Sequence, residues 1–207
     1  MILDHIIYQD DDIIALNKPG GLLSVPGVRN KDSAYSRLAE EVGELHIVHR
    51  LDQDTSGIIV YARHKDALRF LQQQFERRLT SKTYEAVVEG ELQASGGCIN
   101  LPIKVDWPNR PLQMISHSEG RYALTRWTRT GFEADKRTRV DLFPNTGRSH
   151  QLRIHMQQIG HPIIGDTFYH PDYPRGQIIQ MCLHARELGF THPSSGEFMA
   201  LRCEAPF

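Results

Sequence analysis

Apolar and polar positions change their period several times along the chain, and each change marks an element. His5 to Tyr8 and Ile13 to Asn17 read as two short strands, joined by the acidic turn Asp10-Asp11-Asp12 and stopped by Pro19-Gly20-Gly21. Ser33 predicts the cap of a short helix running through Val42, and the β-branched run Ile58 to Tyr61 predicts a buried strand. From Asp66 to Leu79 the residues Ala67, Leu68, Phe70, Leu71, Phe75 and Leu79 recur at helical spacing, while Arg69, Gln73, Glu76 and Arg77 face elsewhere. Thr83 to Gly90 alternates as a strand with Tyr84, Ala86 and Val88 on one face. A hairpin is expected from Tyr122 to Thr130 and Lys136 to Phe143, turning around Gly131. Ser149 to Ile159 suits a second long helix closed by Gly160, and Leu183 to Cys203 suits a last hairpin turning at Pro193-Ser194-Ser195-Gly196. Strands joined mostly by turns favour an α+β fold on a largely antiparallel sheet over a doubly wound one. No repeat, low-complexity stretch or linker interrupts the pattern.

Composition narrows the class. With 207 residues, 40% hydrophobic and 24% charged, the chain is long enough for a sizeable core and too apolar for disorder, so one folded domain over residues 1–207 is expected. Its longest charge-free apolar runs, such as Ile58 to Ala62, fall far short of the roughly 20 residues of a membrane-spanning helix. Asp4 and His5 stand where a secretory signal would carry basic and then apolar residues, so a cytoplasmic protein is expected. Cys98, Cys182 and Cys203 form no Cys-x-x-Cys pair and read as core thiols rather than a disulfide framework or zinc ribbon.

Net charge is only −1, but it is unevenly spread. Lys and Arg number 4 against 8 Asp and Glu over residues 1–48, 6 against 2 over 63–82, and 10 against 5 over 104–153. Eighteen of the 24 basic residues are Arg, whose planar fork grips phosphate or stacks on a base. A basic face for nucleic acid and an ordinary solvated surface fit this charge pattern equally well.

The densest polar cluster, His49-Arg50-Leu51-Asp52-Gln53-Asp54-Thr55-Ser56-Gly57, lies immediately before the predicted buried strand. Its two carboxylates suit acid and base work, cation binding or loop capping, and Asp-x-Asp-x-Ser also approximates the nucleophile motif of haloacid-dehalogenase-like phosphatases. That motif should end an apolar strand, which His49 and Arg50 interrupt. In a second cluster, Thr146 to His155, the histidines at 150 and 155 lack the i, i+4 spacing of a zinc pair, so no metal site is expected. Arg148 and Arg153 are about 1.4 turns apart and face different sides, one toward phosphate and one inward.

Together these residues resemble a known family. His49-Arg50-Leu51-Asp52 with Thr55-Ser56-Gly57 is similar to the catalytic motif of the pseudouridine synthases of the large-subunit rRNA type, which isomerise uridine in RNA. Asn17-Lys18-Pro19-Gly20-Gly21-Leu22 resembles the first motif of that family, Lys82-Thr83-Tyr84 its tyrosine segment, and Gly147-Arg148-Ser149-His150-Gln151-Leu152-Arg153 its arginine motif, with Ser149 where many relatives carry Thr. The likeness, which extends to Asp106-Trp107-Pro108-Asn109-Arg110-Pro111, is to short members of dual specificity that act on large-subunit rRNA and on the tRNA anticodon stem-loop. The resemblance implies the family's mixed, largely antiparallel bent sheet with flanking helices, one catalytic domain and no N-terminal domain of S4 type. It also implies Asp52 as the catalytic carboxylate, with Arg153 as its cationic partner and Asp54 structural. Arg50 would enter the RNA stack, Tyr84 would stack on the flipped uracil, and Arg148 would help bind substrate. RNA is the implied partner, without a cofactor, a metal, a membrane or an obligatory protein partner. A phosphatase and a non-catalytic RNA binder are the readings from other classes, distinguished by divalent-metal dependence and by RNA bound with its uridine unaltered.

Overall fold

The computed structural model describes residues 1–174 and 179–207. They form two compact units, Met1–Lys82 with His184–Phe207, and Thr83–Leu183. Among the described residues no helix is long and apolar enough to cross a membrane.

In the first unit β1 (Ile6–Gln9) pairs antiparallel with β2 (Ile13–Lys18), and β2 with β4 (Ser56–Ala62). The two-residue β3 (His46–Ile47) also lies against β4. β11 (Leu183–Thr191) runs parallel to β4 and forms a hairpin with β12 (Phe198–Arg202). Helix α1 (Ala34–Val42) starts at Ser33, whose hydroxyl accepts from Ser36 N–H as expected of a cap.

Every residue of β4 is buried, which is what a continuous apolar run signals. On one face Ile58, Val60 and Ala62 join Ile13 and Ala15 of β2, Leu188 and Phe190 of β11, and Ala67 and Leu71 of helix α2 (Lys65–Glu76). That helix ends three residues earlier than its apolar stripe predicts. Arg78 adopts a left-handed φ of 59°, which an α-helix cannot continue through, and Leu79 is left exposed.

The acidic turn of the first hairpin is bolted down by two histidines. Asp10 Oδ2 accepts from Tyr8 OH (2.7 Å) and His192 Nε2 (2.8 Å), and Asp12 Oδ1 accepts from His64 Nε2 (2.8 Å). Although Asp10, Asp12 and His192 gather closely enough to suit a cation, both histidines spend Nδ1 on backbone donors, Ala67 N–H and Ser195 N–H. Each Nε2 therefore carries the proton and donates it to a carboxylate, so the cluster is satisfied by itself.

The second unit is built on β5 (Ser81–Glu89, in this unit from Thr83), β10 (Arg137–Pro144), β9 (Leu124–Glu133) and β6 (Gly96–Asn100), neighbouring strands being antiparallel in that order. Ala86, Val88, Val140 and Leu142 pack with Trp127 and with Leu152 and Met156 of α3 (Gln151–Gln158). A separate two-stranded sheet, β7 (Ile103–Val105) with β8 (Gln113–Ile115), completes the unit.

Two sequence expectations are corrected here. The β9–β10 turn falls at Ala134 to Lys136, where Asp135 and Lys136 hold φ near 60°, while Gly131 lies inside β9. Cys98 is not a core thiol: on β6 only Ile99 turns inward, and Cys98 beside it is exposed, with Cys182 and Cys203 half-buried.

Candidate active site

The loop between β3 and β4 carries Arg50, Asp52 and Asp54, and its backbone is pinned on both sides of Asp52. Before it, Ser24 Oγ accepts from Leu51 N–H (3.0 Å) and donates to Leu51 C=O (2.8 Å). After it, Gln53 C=O accepts from Lys18 Nζ (3.0 Å), and the Gln53 side chain donates to Gly21 C=O (3.0 Å). Thr55 N–H closes the turn onto Asp52 C=O (3.2 Å). A half-buried Asp52 side chain thus leaves a backbone that cannot drift.

Lys18 was read only as part of a motif, yet it is the central fastener of this unit. Fully buried, its Nζ also donates to Pro19 C=O (2.8 Å) and Leu22 C=O (2.7 Å). Three carbonyl acceptors match the three N–H bonds of an ammonium. Burial draws its pKa down to about 7, while the carboxylates of Asp54 and then Asp52 oppose that fall. The sequence signal was a lysine ending the apolar strand Ile13 to Leu16, where a charge must be satisfied.

His49 fixes the start of the loop. Its Nε2 accepts from Val60 N–H (3.0 Å) and its ring stacks on Phe75 (centroids 4.7 Å apart, 19° between planes). Burial, helped by Lys82, pushes its pKa down to about 3. The unfolded chain takes up this proton near pH 6.5, so His49 supports the fold fully above that pH and progressively less down to about 3. Urea midpoints between pH 7 and 4.5 should fall more for the natural protein than for His49→Gln, which keeps an acceptor for Val60 but does not titrate. The excess is up to about 1.4 kcal/mol per pH unit, and parallel acid limbs would contradict it. Arg50, next in the chain, is exposed and makes no ion pair or hydrogen bond among the described residues.

Arg153, in the second unit, is 2% exposed, the inward-facing arginine expected from its spacing to Arg148. Its Nε and Nη2 donate to the two carboxylate oxygens of Asp166 (2.8 and 2.7 Å). Asp166, itself fully buried, also accepts from Phe168 N–H (2.9 Å) and Tyr169 N–H (3.2 Å), and both aromatic rings flank the guanidinium. The bidentate grip fixes the plane of the guanidinium. Sequence reasoning missed Asp166, whose only signal is an acid closing the apolar run Ile163-Ile164-Gly165.

Gln151 anchors the turn before Arg153. Its Oε1 accepts from Thr146 Oγ1 (2.7 Å) and Arg148 N–H (3.1 Å), and its Nε2 donates to Leu124 C=O (3.0 Å) and Thr125 Oγ1 (3.0 Å). Arg148 is half-buried with Nε donating to Tyr122 C=O (3.1 Å), and Tyr84 lies half-buried against the core of the unit. The structure therefore gathers Arg50 and Asp52 on one pinned loop of the first unit, and places Tyr84, Arg148 and Arg153 in the second. It does not support the phosphatase motif, because four loop residues separate Asp52 from β3 and the loop leads into β4 instead of ending a strand.

The fold of this chain is that of solved pseudouridylate synthases. The human RNA pseudouridylate synthase domain containing 1 superposes with a TM-score of 0.82 at 27% identity, covering 98% of this chain and 83% of that one. Human RNA pseudouridylate synthase domain containing 4 gives 0.77 at 26% identity, covering 99% and 90%. Residues 12–158 match the family model for RNA pseudouridylate synthase. Among curated proteins, the dual-specificity RNA pseudouridine synthase RluA of Yersinia pestis is 47% identical over 98% of this chain and 99% of its own length. The protein of the same name from Escherichia coli is 45% identical over 98% and 93%. The chain belongs to the RNA pseudouridylate synthase family and is an isomerase acting on RNA.

Proposed function

We propose that this enzyme converts uridine to pseudouridine in large-subunit rRNA and in the tRNA anticodon stem-loop, in the cytoplasm, with Asp52 as its catalytic carboxylate. The observation that carries the reading is the near-complete, 47% identical match to a dual-specificity relative, joined to the fastening of the backbone on either side of Asp52. Because the family match runs from residue 12 to residue 158, it spans both compact units, which supports one catalytic domain over residues 1–207.

The reaction breaks the N1–C1′ bond, turns the uracil and forms a C5–C1′ bond, with the C5 proton given up and N1 protonated. Nothing is oxidised and no group leaves, so the chemistry needs neither a cofactor nor a metal, and no protein partner is invoked. Asp52 must be ionised whether it attacks carbon or removes a ribose proton. The family resemblance assigns Arg153 as the cation that keeps it so, and Asp166 fixes the plane of that guanidinium within the second unit. A stacked uridine must be flipped out to reach the carboxylate. Arg50, exposed and uncommitted, fills the gap in the stack, Tyr84 receives the uracil, and Arg148 contacts the backbone of the RNA.

Pseudouridine mapped in total RNA from cells with and without this protein tests the reading. Sites should vanish from both 23S rRNA and tRNA, and return with the natural gene. Loss from only one class would overturn dual specificity, and loss from neither would overturn the substrate assignment.

A further inference from the structure

Trp107 is 66% exposed, whereas the other tryptophan, Trp127, is buried in the core of the second unit. The exposed ring stands in the turn between β7 and β8, and that turn holds its shape without it. Asp106 N–H bonds Leu112 C=O (3.0 Å), Leu112 N–H bonds Asn109 C=O (3.1 Å), and Asn109 Nδ2 donates to Asp106 Oδ2 (2.9 Å). Gln113 N–H then donates to Tyr169 OH (2.8 Å), tying the turn to its own unit. Pro108 and Pro111 stiffen it further. The Arg110 guanidinium lies 3.3 Å from the centroid of the indole and covers one face, so the exposure belongs largely to the other.

We infer that Trp107 and Arg110 form a stacking platform for an unpaired nucleotide of the RNA, apart from the uridine that reacts. A base lies on the open indole face, and Arg110 meets a phosphate with its N–H groups. The partner is chosen by charge. Arg110 and the exposed Arg121, whose backbone bridges Ile103 at the foot of β7, have no carboxylate partner among the described residues. Of the neighbouring acids, Glu119 is paired with Lys104 while Asp106 accepts from the neutral Asn109 amide, so Arg110, Arg121 and Lys104 outnumber Asp106 and Glu119. An indole beside free guanidinium groups suits a stacked base on a polyanion, and a turn that is already rigid loses little freedom on binding.

The inference rests on the RNA reading, and binding of a stem-loop RNA measured across a salt series separates the two. Trp107→Ala should weaken affinity about tenfold at every salt concentration without changing the slope of log K against log salt, since stacking releases no counterions. Trp107→Phe, which restores a flat ring, should stay within about threefold of the natural protein. Arg110→Gln should instead lower the slope by about 0.8. RNA should also shield from acrylamide an emission that the natural protein has and Trp107→Phe lacks. If Trp107→Ala bound as tightly as the natural protein and RNA left that emission accessible, the platform would be overturned and the RNA reading would stand. A slope change in Trp107→Ala equal to that of Arg110→Gln would reduce the ring to a prop for Arg110 and equally overturn it. Failure of the natural protein to bind any stem-loop would sink both.

Discussion

Gly57→Ala is expected to leave little or no folded protein. Gly57 holds φ at 110°, where an L side chain is strained, and a Cβ there would lie 2.4 Å from Ala185 O and 2.5 Å from Ala185 N. Neither backbone can yield cheaply, because Ser56 and Gly57 pair in register with His184 and Ala185 where β4 and β11 run in parallel. Separating those strands would open the core shared by Ile58, Val60, Leu188 and Phe190. The cost should reach about 4–5 kcal/mol, at the upper end for a single substitution and a large part of the 5–15 kcal/mol that holds a protein of this kind together. The matched control is Gly131→Ala, which meets nothing within 4 Å and needs no special φ. Thermal melts should show Gly131→Ala close to the natural protein and Gly57→Ala either without a cooperative transition or at least about 10 °C lower. A Gly57→Ala protein melting within two or three degrees of the natural one would mean that the β4–β11 contact is not as close as described.

This glycine also explains why the polar cluster ends as it does: Asp52 can be presented only if the chain passes from a fastened loop straight into a strand pressed against β11. The sequence made the local half of that arrangement legible. β4, α2 and the β11–β12 hairpin follow from apolar periodicity, and Ser33 from capping chemistry, because each depends on residues a few positions apart. What stayed hidden depends on distant partners. Lys18 reaches Gln53 across 35 positions, Ser24 reaches Leu51 across 27, and the acid that clamps Arg153 is 13 residues beyond it. No periodicity encodes such pairs. β6, β7 and β8 were missed because they are short, and on β6 a single inward residue, Ile99, gives no alternation to detect. The β9–β10 turn misled because Gly131 looked like the residue made for a turn, while Asp135 and Lys136 take the left-handed conformations themselves.

The second large effect falls on the chemistry. Asp52→Asn preserves the shape of the side chain and one acceptor oxygen but removes the charge that nucleophilic attack and proton removal both require. Backbone bonds from Ser24 and Lys18 hold Leu51 and Gln53, not the carboxylate, so the loop should keep its course. Folding and RNA affinity should therefore survive while turnover falls by at least about a thousandfold, the scale on which losing a nucleophile or its base acts. Asp54→Asn is the informative neighbour. It sits two residues away on the same loop and, as a structural residue, should keep substantial activity.

Pseudouridine formed per enzyme molecule on an anticodon stem-loop RNA, counted in nuclease digests for the natural protein and both variants with excess chelator present, is the most direct test. The expected result is many turnovers by the natural protein, a substantial fraction of that rate for Asp54→Asn, and no detectable product from a folded, RNA-binding Asp52→Asn. An active Asp52→Asn enzyme, or an inactive but folded Asp54→Asn beside an active Asp52→Asn, would contradict the assignment of the catalytic carboxylate.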